Sequence, residues 1–169
     1  YLDHTATSPL RPEALSAMTH ALSLGGNPSS IHAAGRAARA VIEEARTEIA
    51  HLAGAQPNDV IFTSGATESV SLALWGAVQG AVEAGARITR LFVSAIEHSC
   101  VRATAAAIEE RMPGVKLAVL PGTAQGAGDT EARRVALREG KGRALVAVML
   151  ASNETGVIKP IGEIARLAR

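Results

Sequence analysis

Aromatic residues are scarce in this chain: two Phe, one Trp and one Tyr among 169 residues. Its core must therefore be built from Ala, Val, Leu and Ile. A single cysteine, Cys100, excludes an internal disulfide framework and a multi-cysteine metal site. We expect a reducing, cytoplasmic setting and no metal. The net charge of +1 gives no electrostatic case for nucleic acid or an anionic membrane as partner. No apolar run approaches the ~20 residues needed to cross a bilayer, and no secretory signal precedes Leu2. Lysine is also rare, with only Lys116, Lys141 and Lys159. The chain opens on Tyr1 and stops at Arg169 inside a helical pattern, so both ends are expected to be cuts.

What is present is a regular alternation. Four apolar runs have strand character: Val60–Thr63, Leu91–Ser94, Lys116–Leu120 and Ala144–Leu150. The last reads ALVAVML and is apolar throughout, which predicts a strand covered on both faces and the most buried of the four. Helices are predicted over about 11–23, 36–54, 66–80, 99–111, 130–139 and 161–169. Within 36–54, Ala38, Val41, Ile42, Ala45, Ile49 and Leu52 fall at steps of three and four, and Gly54 is placed to end the helix. From Val60 onward strand and helix alternate, which predicts an α/β domain of three layers, α/β/α, around a mainly parallel sheet. Residues 1–58 do not fit that alternation. They read as an N-terminal leader with two helices and a turn-rich GGNPSS, and 59–169 as the α/β part. PGTAQGAG at 121–128 reads as a surface connection.

Three polar clusters follow predicted strands, where ligands of parallel sheets gather. Ser64-Gly65-Ala66-Thr67 places successive amides and a hydroxyl at a helix start, suited to an anion such as phosphate. The same residues also suit a plain helix cap, with Ser64 or Thr67 capping, Gly65 permitting the bend and Glu68 completing a capping box. Glu97-His98-Ser99 offers an imidazole that either stacks on a planar ring and moves protons, or caps the next helix. Ser152-Asn153-Glu154-Thr155-Gly156 is either an ordinary turn or a set of hydrogen-bonding groups beside a ligand. Together they describe a site for something anionic and planar.

FTSGATES, AIEHSCV and LASNETGVIKPIGEI, with the earlier YLDHTATSPLRPEAL and GGNPSSIHAAGRAAR, resemble in this order the cysteine desulfurases of the class V aminotransferase branch. The resemblance covers nearly the whole chain. It implies part of the large domain of a fold type I enzyme dependent on pyridoxal 5'-phosphate (PLP). It also implies a homodimer and conversion of L-cysteine to L-alanine plus an enzyme-bound persulfide, passed to a sulfur-acceptor protein, as in iron–sulfur cluster assembly. Position by position, Ala66 and Thr67 would bind the cofactor phosphate. His98 would stack on the ring and act catalytically, and Asn153 would lie beside the cofactor and the substrate carboxylate. His32 is read as structural. His4, Thr5 and Ser152 depart from the family pattern, Ser152 standing where a second Asn is common.

The chemistry of that class needs a lysine to join PLP covalently. Lys116, Lys141 and Lys159 all lie outside the Ser-x-His-Lys context in which the family carries it. Cys100 follows His98 at a helix start, but the family's sulfur-accepting cysteine is on a later loop, so Cys100 is read as a packing residue. The expectation is an N-terminal portion, cut before the lysine and inactive alone. Selenocysteine lyase or another class V activity is the alternative, and a non-catalytic fragment or scaffold the third reading.

Overall fold

Ile88–Ser94 (β1) is a seven-residue strand in which Leu91, Val93 and Ser94 are wholly buried. In the computed structural model, which describes residues 4, 7–122, 141–152 and 154–168, β1 is the centre of a parallel sheet. Lys116–Leu120 (β2) and Arg143–Ala147 (β3) flank it in the order β2-β1-β3. The register sets Leu91 beside Leu117 on one side and Leu145 on the other.

Alternation along β1 sends its side chains to two faces. Leu91 and Val93 pack with Leu74 and Val78 of Ala66–Glu83 (α3) and with Val101, Ala105 and Ile108 of Ser99–Arg111 (α4). Phe92 turns the other way, onto Leu120, Ala144, Val146 and Leu167, the last from Ile161–Leu167 (α5). Helices thus cover both faces of a parallel sheet, the three-layer α/β arrangement expected. Fully burying a side chain such as Leu91 or Ile108 stabilises the fold by about 1.5–3 kcal/mol. Ser71 and Thr104 add a hydroxyl–hydroxyl bond of 3.1 Å between α3 and α4.

The chain divides into two compact units, Tyr1–Phe62 and Thr63–Arg169. The first contains Pro12–Ser23 (α1) and Ala33–Ala53 (α2). The turn before α2 is held by Asn27, whose side-chain oxygen accepts from the Ser29 amide and whose carbonyl accepts from the Ser30 amide, each at 2.9 Å. His32 then caps α2, its Nδ1 accepting from the Gly35 amide at 3.3 Å. At the far end Gly54 adopts φ 65° and closes the helix, as its position predicted. A short 3₁₀ turn, Pro57–Asp59, follows.

Two expectations need correction. Val60–Thr63 forms no strand: Ile61 and Phe62 are exposed at 69% and 50%, and no described strand pairs with this segment. An apolar, β-branched run has strand propensity, but a strand needs a partner to satisfy its amides. The run at Ala144–Leu150 is not the most buried strand either. It ends as a strand at Ala147 and is only half-buried, because β3 is an edge with β1 on one side. The helix predicted at 130–139, and most of the 121–128 connection, lie outside the described residues.

Candidate functional site

The start of α3 is bare of side-chain caps. Gly65 is its N-cap residue, and no described side chain accepts from the first-turn amides. Ser64, the expected cap, is engaged elsewhere. Its hydroxyl donates to a Glu68 carboxylate oxygen at 2.6 Å, and its amide donates to the same oxygen at 2.7 Å. Those two bonds, the hydroxyl's first, hold the Glu68 carboxyl below its ordinary value of 4.5. The Thr63 and Ser69 hydroxyls lie 2.6 Å apart, one donating to the other, and both lie 3.2 Å from the Gly65 carbonyl, which accepts from the remaining proton. Only the Glu68 half of the capping box is formed, and it binds the residue before the cap. The amides of Ala66 and Thr67 are thus left at the positive end of the helix dipole, the arrangement that attracts anions.

Gly65 does not serve the bend. Its φ of 168° is extended backbone open to any residue, and an added Cβ would meet no described atom within 4 Å. A side chain there would instead occupy open space beside the helix start.

A cavity of about 580 Å³ opens at the carboxyl ends of β1 and β3. Ala66 and Thr67 line it from α3; Glu97, His98 and Cys100 line it from the segment after β1; Val146 to Met149 line it from the end of β3. Its size falls in the range of small-molecule sites, roughly 300–1,000 Å³. A smaller, more polar cavity of about 360 Å³ adjoins it, sharing Glu97, His98 and Met149 and reaching Ser152, Glu154 and Thr155. Three of the four predicted site residues, Ala66, Thr67 and His98, therefore face one space. Asn153 lies outside the described residues.

His98 also performs the plainer task considered for it. It is the N-cap of α4, its Nδ1 accepting from the Cys100 amide at 3.2 Å. Capping and lining are compatible. With Nδ1 accepting, the neutral ring carries its proton on Nε2, so the cap fixes the tautomer. Cys100 Sγ lies 3.0 Å from the same Nδ1. Cys100 is a half-buried free thiol packed against the core, as read from the sequence, and it also borders the cavity. His32 stays structural, as the α2 cap.

Sequence reading missed the pairing behind His98. Glu97 and Lys159 are buried, at 7% and 2% exposure, with the ammonium 3.8 Å from a Glu97 carboxylate oxygen. That oxygen also accepts from the Met149 amide at 2.6 Å. Nothing in local spacing joins positions 97 and 159; the sole signal was an acidic residue placed between a buried strand and a histidine.

Fold and cavity together define a parallel α/β domain that presents a helix N-terminus and an imidazole to one small-molecule site. The profile of the Aminotransferase class-V family matches residues 1–169. The chain belongs to that family. It is 42% identical to an IscS-like cysteine desulfurase of Mycobacterium tuberculosis, over 99% of this chain and 42% of that protein. It is 36% identical to a selenocysteine lyase of Bos taurus, over 100% of this chain and 42% of the relative. Among solved structures, a NifS-like protein superposes with a TM-score of 0.86 at 28% identity, covering 99% of this chain and 44% of that one. The chain thus spans about two fifths of the length of the curated relatives it matches.

Proposed function

We propose that this chain supplies the phosphate cup and one wall of the active site of a PLP-dependent cysteine desulfurase, which releases sulfur from L-cysteine. The observation that carries the reading is the shared cavity: Ala66 and Thr67, at the uncapped head of α3, and His98 line the same space. These residues fit the cofactor. An N-terminal helix turn with a threonine hydroxyl suits a dianionic phosphate, and an imidazole with an aliphatic wall suits a flat ring. When bound, PLP supplies the electron-withdrawing ring on which the family's amino-acid chemistry depends.

Each side chain then has a task. Ala66 and Thr67 hold the phosphate and so set the depth of the ring. His98 stacks over the ring, and Nε2 is the nitrogen free to move a proton, since Nδ1 is committed to the Cys100 amide. Val146 and Val148 exclude water from the cavity. Asn153 is assigned to the cofactor edge and the substrate carboxylate on the family resemblance.

We take the protein to be a homodimer; α1, with Leu15, Met18 and Leu22 exposed at 56%, 54% and 84%, is in keeping with a face covered by another chain. A reducing cytoplasm suits its free thiol, and an acceptor protein would receive the sulfur. No described helix is long and apolar enough to cross a membrane.

The relative named a selenocysteine lyase gives the second reading, with selenium in place of sulfur. Parallel assays of the full-length enzyme, for sulfide from L-cysteine and selenide from L-selenocysteine, separate the two. A kcat/KM dominated by cysteine supports the proposal; activity confined to selenocysteine overturns it in favour of the lyase.

A further inference from the structure

The pairing behind His98 joins the segment after β1 to the turn that follows β3. Glu97 directly precedes the α4 cap, and its carboxylate accepts from the Met149 amide at 2.6 Å just past β3. Lys159 closes the turn that follows: Ala151 and Ile158 form an antiparallel bridge, Ser152 donates to Val157 at 3.1 Å, and the Lys159 amide donates to Leu150 at 2.8 Å. Both charged side chains are withdrawn from water, at 0% and 4% side-chain exposure. A buried carboxylate is stable only with a cation or hydrogen bonds to satisfy it.

We propose that Lys159 is a positioning residue for His98: its ammonium retains the Glu97 carboxylate in the interior, and Glu97 in turn fixes the backbone from which the His98 ring enters the cavity. Its bearing on catalysis rests on the phosphate-cup reading; its bearing on the His98 cap does not. Lysine was scarce and its function in this class is covalent, yet Lys159 is committed to a carboxylate and does not line the cavity. Without its ammonium, Glu97 is drawn toward water, the Met149 bond breaks, and the His98 cap on the Cys100 amide loosens. The charge, and not the volume, is the cause.

Two near-isosteric variants separate these. Lys159→Met removes the cation and leaves a buried carboxylate. Lys159→Met combined with Glu97→Gln removes both charges while keeping an oxygen for the Met149 amide. Exchange of the Cys100 amide, read by hydrogen–deuterium exchange without cofactor, is expected to quicken at least ~10-fold in the single variant and to return to the wild-type rate in the double. PLP affinity, measured by equilibrium dialysis, should follow the same order. Wild-type exchange in Lys159→Met overturns the proposal, and so does a double variant as loose as the single one. If the single variant does not fold, the double decides: a protected Cys100 amide supports the pairing, an unprotected one overturns it. His98→Ala keeps the parent reading separate. If that substitution leaves PLP affinity unchanged, the cofactor reading fails, while Cys100 exchange still judges Lys159.

Discussion

Thr67 is the second residue of α3 and lines the cavity. If Thr67 holds the phosphate as proposed, replacing it with Ala removes one charge-assisted hydrogen bond and spares the helix. PLP affinity should fall by ~1.5–3 kcal/mol; a dialysis or fluorescence titration that shows unaltered affinity would count against the cup. In the full-length enzyme, His98→Ala should lower turnover of L-cysteine by at least ~10²-fold, the usual scale for a positioned acid–base group. An unchanged rate would restrict His98 to its cap. At this scale the sequence was informative because strand ends and helix starts are local features. Ala66, Thr67 and His98 each sit at one, and a parallel sheet brings such points together. Glu97–Lys159 was not legible, since burial and pairing across distant segments leave no local periodicity. Of the readings open for Gly65, the bend is excluded, because its backbone is extended and open to any residue.

Helix starts show how much a single element depends on its first turn. The Glu68 carboxylate at the head of α3 is held below 4.5 by Ser64. A lowered acid stabilises the fold above its unfolded value and loses that contribution as pH falls through the folded one. The Ser64 amide resonance should therefore titrate with a midpoint below 4.5, and Glu68→Gln should abolish that step. A midpoint at or above 4.5 would contradict the bond. At the start of α2, a Cβ on Gly35 would collide with the Ser30 carbonyl and come within 2.6 Å of the Asn27 carbonyl. Gly35→Ala should destabilise the first unit by about 1–3 kcal/mol in a denaturant titration; full stability would show that the turn yields. Helix placement was readable from apolar spacing, and α4 matches its predicted span. Strands were less so: Val60–Thr63 has the right residues but no described neighbour, and β3 has the right apolarity but an edge position. Pairing partners, not composition, decided both.

For the molecule as a whole, the site is a shared property of α3, the β1–α4 connection and the end of β3. No lysine lines its main cavity among the described residues, and Lys159 is held by Glu97. Adding PLP to the 169-residue chain should thus give no stable absorbance band near ~420 nm, the mark of covalent attachment to lysine. A band abolished by substituting Lys159 would require that residue to leave its carboxylate and serve the cofactor. The central claim is that the Ala66 and Thr67 amides grip the phosphate while His98 covers the ring. It is tested most directly by following the backbone amide and histidine ring resonances of the protein as PLP is titrated in. The Ala66 and Thr67 amides and the His98 ring should shift together and saturate at one concentration. Saturable shifts elsewhere, with these three unmoved, would contradict it.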